Sequence, residues 1–132
     1  MDPDRLQSVP LLSELPSGDR AAVATVARET RAEAGDVLVR DGDFRYELIA
    51  IEVGEAELYR GGELVERLGE GDVVGEIGNL ERHVGRLTVI ASSDMELITL
   101  SALDVRRLRC TAPVAVARMQ GMLLRRRRRV AG

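Results

Sequence analysis

At 132 residues, with 45% apolar and 31% charged side chains, the chain has the length of one domain and the composition of a soluble globular protein. No apolar run approaches the ~18 residues of a membrane span and no signal peptide precedes the first helix, which reads as a cytoplasmic protein. The net charge is −3, and the single Cys110 excludes an intramolecular disulfide and a cysteine metal cluster.

Aromatics make up 2%, so Leu, Val, Ile and Ala must fill the core. All 19 basic residues are Arg, a compositional bias more than a functional sign. Cys110 reads as a small, partly buried hydrophobe.

In chain order, Leu6, Val9, Leu11, Leu12 and Leu15 give one short helix broken by Pro10. A second helix begins at Ser17 to Asp19, with Ser17 or Asp19 as its cap, and continues to about Thr30. After the turn at Ala34-Gly35-Asp36 the pattern changes to short β segments. These are Val37 to Arg40, Glu47 to Val53, Ala56 to Tyr59, Leu64 to Leu68, Val73 to Val74, Leu87 to Ala91 and Glu96 to Leu100. Turn signals separate them: Asp41-Gly42-Asp43, Gly54-Glu55, Gly61-Gly62 and Glu70-Gly71-Asp72. Short strands at such spacing make a small antiparallel barrel or sandwich, and flanking helices make the class α+β.

Ser101 caps a helix through Arg109 whose apolar face is Leu103, Val105 and Leu108. Thr111 and Pro113 open the last helix, with Val114, Ala117, Met119, Met122 and Leu123 at roughly helical spacing. It ends in five arginines, Arg125–Arg129. They read as a solvated helix end favoured by the helix dipole, or as a contact for nucleic acid or acidic lipid. Only three residues follow Arg129, too few for a helix-turn-helix, so DNA is not an expected partner.

Between Val73 and Ala91 the chain reads V-V-G-E-I-G-N-L-E-R-H-V-G-R-L-T-V-I-A. A strand, a Gly-led helical turn, an arginine-bearing loop and a second strand form an anion cradle. Gly75 lets backbone amides approach a ligand, the helix start offers free N–H groups, and an arginine closes the far side. The lone His83 has no partner cluster for a metal, and Arg82 and His83 read as solvated loop charges. No triad order, paired carboxylate motif or metal spacing supports catalysis, so the chain reads as no enzyme, with no metal and no resident cofactor.

This stretch resembles the phosphate-binding cassette of the cyclic nucleotide-binding domain family, G-E-(I/L)-A-L-L, then P-R-(T/S)-A-T-V-x-A. Gly75, Glu76, Ile77, Leu80, Thr88, Val89 and Ala91 fall into place without a gap. The likeness continues through V-P-L-L-S-E-L, A-G-D-V-L-V-R-D-G-D, Y-E-L-I-A-I-E-V-G-E-A-E-L and M-E-L-I-T-L-S-A-L-D-V-R-R-L, over residues of about 5 to 125. It implies a jelly-roll-like barrel of about eight short strands in one domain, 1–132. Helices occupy 1–30, the barrel 31–100 with the cassette at 74–91, and further helices 101–129.

The resemblance also implies a ligand, cyclic AMP, held by Gly75, Glu76, Ile77, Gly78, Arg86 and Leu87. Glu76 matches the glutamate that accepts from the ribose 2′-hydroxyl; Gly75 and Ile77 contribute backbone. The gapless alignment puts Gly85 where the family's phosphate arginine stands, Val84 at the proline and Arg86 at the Thr or Ser. Aligning Arg86 with the arginine needs an insertion in the loop and a deletion in the strand. Strand alternation separates the registers. The first turns Leu87, Val89 and Ala91 inward; the second turns in Thr88, Ile90 and Ser92, a poorer core.

Leu87 has no hydroxyl to hold a guanine amino group, so adenine is the expected base. The implied function is a non-enzymatic regulatory module with weak cyclic AMP binding. The alternative is a ligand-free domain acting as a protein-interaction or scaffold module. A protein partner, or a homodimer through the C-terminal helix, is the remaining expected partner.

Overall fold

The computed structural model describes residues 1–40, 43–44, 46–75 and 87–121. At the N-terminus Pro10 does break the helical run. A 3-10 helix, Pro3–Ser8, gives way to α1, Pro10–Ser13, and α2 follows as Ser17–Val26. Arg20 ties the two α-helices together by donating to the Ser13 and Leu15 carbonyls, at 3.0 and 2.6 Å. Ser17 and Asp19 lie inside α2, whose cap position is Pro16 with no side-chain bond.

Nine strands follow among the described residues: β1 Arg28–Ala32, β2 Val37–Arg40, β3 Asp43–Phe44, β4 Leu48–Val53, β5 Ala56–Arg60, β6 Glu63–Leu68, β7 Val73–Gly75, β8 Leu87–Ala91 and β9 Met95–Leu100. Two differ from the sequence expectation. Val26 ends α2, because residues 28–32 pair with β9, from Arg28↔Thr99 to Ala32↔Met95. The Thr30 and Thr99 hydroxyls bond at 2.9 Å across that ladder. Asp43 belongs to a strand rather than a turn, pairing with Arg40.

The strands form two antiparallel sheets, in the orders β1-β9-β4-β7 and β3-β2-β8-β5-β6. Between them lie Val39, Ile49, Ile51, Leu58, Val74, Leu87, Val89 and Leu97. The opposite face of the four-stranded sheet carries Leu48, Ala50, Val73, Ile98 and Leu100 against Leu6, Leu12, Leu15 and Val23 of the N-terminal helices. Burial on both faces explains the unbroken apolar run Leu48 to Ile51 and the wholly buried stretch Leu97 to Leu100, apolar but for Thr99, where one buried face would give alternation. Each such Leu or Ile contributes about 1.5–3 kcal/mol by leaving water. The expected class, α+β with a small antiparallel jelly-roll-like barrel, is the one observed.

After β9, α3 spans Ala102–Thr111, with a capping box between Ser101 and Asp104. Residues 113–121 are helical (α4). Two expected apolar faces shift. Val105 and Leu108 are buried in α3 but Leu103 is 49% exposed. In α4 the buried set is Ala115, Val116 and Met119, whereas Val114 is 56% exposed and Ala117 is exposed. Cys110 is also exposed, not the partly buried hydrophobe expected. It lies on the outer side of α3, seven residues from Leu103.

Candidate functional site

The two ends of the candidate site are β7 and β8. The last residue of β7, Gly75, pairs with Leu48 at the edge of the four-stranded sheet. The first residue of β8, Leu87, pairs with Arg60 in the middle of the five-stranded sheet. The connection from 76 to 86 therefore passes from one sheet to the other. Of the site residues expected from the sequence, Gly75 and Leu87 stand at these ends. Glu76, Ile77, Gly78 and Arg86 lie outside the described residues, as do Gly85, Arg82 and His83.

The strand register is decided by β8. Leu87, Val89 and Ala91 are buried, at 6%, 1% and 2% exposure, and Thr88 and Ile90 are half-buried. That inward set accompanies the gapless alignment. Around Leu87 and Val89 the wall is apolar, with Leu58, Ile49 and Val74 in the same cluster. Such a wall accepts a flat base or sugar carbon face and gives an anion nothing. A phosphate here would draw its charge partner from beyond this apolar wall, from Arg60 across the ladder from Leu87 or from the 76–86 segment.

One polar group nearby was not legible in the sequence. Glu47 precedes Leu48, the partner of Gly75, and its N–H donates to the Leu100 carbonyl at 2.8 Å. Its Oε2 is buried with no hydrogen-bond partner among the described residues, an acceptor on the residue that precedes the Leu48–Gly75 pair. No spacing rule marks a glutamate at a strand start as special.

The helical layer is pinned to the sheet by charge. Arg28 of β1 donates to both carboxylate oxygens of Asp104, each at 3.2 Å. Burial pushes the Asp104 carboxyl up, but the bonds from Arg28 and Ser101 outweigh it and hold the group below its ordinary value. Arg5 bridges Glu52 of β4 and Glu29 of β1, and bonds to both carboxylates hold its guanidinium above its ordinary value.

An open depression of about 550 Å³ lies at the far end of β5 and β8 from the Leu87–Arg60 pair. Glu55, Glu57, Arg67, Leu68 and Ser92 line it, so its carboxylates would repel a phosphate. Among the described residues no cluster of three or more His, Cys, Asp or Glu is placed to hold a metal. No described helix is long and apolar enough to cross a membrane.

Comparison with known proteins places this geometry. The cyclic nucleotide-binding domain family matches residues 29–110. A cAMP-dependent protein kinase regulatory subunit from Eremothecium gossypii is 35% identical over 106 residues, 80% of this chain and 23% of that protein. A putative potassium channel protein from Rhodopseudomonas palustris is 34% identical, over 80% of this chain and 26% of its own length. The chain thus spans about a quarter of the relatives it matches. Among solved structures, the regulatory subunit of a cAMP-independent protein kinase A from Trypanosoma brucei superposes with a TM-score of 0.75 at 23% identity. It covers 92% of this chain and 43% of that one; a triple mutant of it, which gains an arginine, is bound to cAMP. The chain belongs to the cyclic nucleotide-binding domain family.

Proposed function

We propose that the chain is a non-enzymatic regulatory module that takes cyclic AMP between the ends of β7 and β8, with an affinity weakened by its own sequence. The inward set Leu87, Val89 and Ala91 carries this reading. It belongs to the register in which Gly85 stands at the phosphate arginine's position. Glu76 accepts from the ribose hydroxyl, Gly75, Ile77 and Gly78 approach the ligand by backbone, and Arg86 supplies what charge the phosphate receives. A phosphate without a bidentate arginine loses charge-assisted bonds of about 1.5–3 kcal/mol each, so affinity falls ~10–150-fold apiece. The relatives named for cAMP dependence support the ligand, and the apolar Leu87 favours adenine over guanine.

A second reading, a ligand-free interaction module, is favoured by the Trypanosoma brucei protein, which has this fold and is named cAMP-independent. Thermal melts with and without ~1 mM nucleotide separate the two, because a ligand raises stability in proportion to the logarithm of one plus its concentration over its dissociation constant. The expected result is a small upward shift with cyclic AMP, smaller with cyclic GMP, and lost in Glu76→Ala and Arg86→Ala. A shift that survives Arg86→Ala removes Arg86 from the site. An equal or larger shift with cyclic GMP refutes the adenine preference. No shift when the nucleotide is raised to about ten times that concentration supports the interaction module.

A further inference from the structure

Charge in this chain is strongly divided. Residues 1–100 hold 21 acidic and ten basic side chains, whereas residues 101–132 hold nine arginines and one acidic residue, Asp104. Asp104 is buried and spoken for by Arg28. Along the sequence the C-terminal stretch is therefore basic and what precedes it acidic, and α3 is the described helix of that stretch whose outer side can be read in full. Asp104, Val105 and Leu108 turn to the core. At 100° per residue, Leu103 and Cys110 fall on the opposite pole, with Arg106 and Arg107 on either side of it. All four are exposed, as is Arg109 further round the helix. The outermost point of a solvated helix is more often charged than apolar. This one carries Leu103 at 49% exposure, and α4 exposes Val114 at 56%.

We infer that the outer face of α3 docks on an anionic lipid surface. An apolar pole flanked by arginines is the arrangement of a helix lying in a membrane interface, with its apolar side chains among the acyl chains and its cations at the headgroups. Other partners fit less well. Two apolar side chains are far short of the ~800 Å² per partner of a stable protein interface. A second copy would bring Arg106 and Arg107 against their own kind. Residues 101–132 contain no Phe, Tyr or Trp to stack on a base, so single-stranded nucleic acid finds charge alone. The inference does not rest on cyclic nucleotide binding.

The test is cosedimentation of the full chain with vesicles of phosphatidylcholine, alone or with about 30% phosphatidylserine, at about 0.1 M salt. At least ~10-fold more protein should partition onto the anionic vesicles, since each arginine near such a surface raises partitioning by about fivefold. Arg106→Glu with Arg107→Glu should reduce it by ~25-fold or more. Leu103→Gln should reduce it several-fold, and both variants should keep the wild-type melting temperature. Equal binding to both kinds of vesicle overturns the inference. So does wild-type binding by the α3 variants when neutralising Arg125–Arg129 alone abolishes it. Tighter binding to a labelled oligonucleotide than to the vesicles also overturns it, in favour of nucleic acid.

Discussion

Asp104 carries two duties, capping α3 and receiving Arg28, and each leaves a measurable trace. Its carboxyl titrates below the ordinary 3.8 in the folded chain. The folded state therefore binds that proton less readily than the unfolded chain, so the contribution to stability is present above pH ~4 and is lost as pH falls through the lowered value. Arg28→Met should lower the melting temperature at pH 7, and the difference from wild type should shrink in acid. A difference that persists unchanged at pH 3 would detach the effect from Asp104. Ser101→Ala removes the other half of the box and should cost about 1 kcal/mol in chemical denaturation. The exposed Cys110 thiol should react with a disulfide reagent in the native state as fast as in the unfolded chain; protection would contradict its exposure.

Among the elements, those with a clean local signal were legible in sequence. Strands β2 and β8 begin and end where their apolar pattern and turn residues place them. Gly54 sat in an expected turn, and its φ of +103° is one that side chains rarely adopt. A Cβ there would stand 2.5 Å from the Asp94 carbonyl oxygen. Gly54→Ala should therefore destabilise by more than ~1 kcal/mol, and a neutral result would mean the turn adopts another form. What the sequence hid was set by distant partners. Nothing local says that Arg28-Glu29-Thr30-Arg31 is a strand; the β9 ladder, the Thr30–Thr99 bond and Asp104 decide it. The face of α4 was misjudged for a related reason, since Val114 and Met119 both look apolar but only one meets the core. Met119→Ala should cost about 2–5 kcal/mol and Val114→Ala almost nothing. The inverse ranking would return α4 to the face read from the sequence.

At the scale of the molecule, one sheet serves two interiors. Its inner face closes the barrel beneath the ends of β7 and β8, and its outer face seats the helices, with Arg28 and Arg5 joining the two layers. A ligand held at 76–86 would therefore touch a segment anchored at both ends to this framework. Whether one is held turns on the residue standing where the family keeps its arginine, which the reading proposed above takes to be Gly85. Calorimetric titration of the wild type and of Gly85→Arg with cyclic AMP tests this most directly. The account predicts near-millimolar affinity for the wild type and a gain of ~10–150-fold on restoring the arginine. Submicromolar binding by the wild type, or no gain in Gly85→Arg, would contradict it.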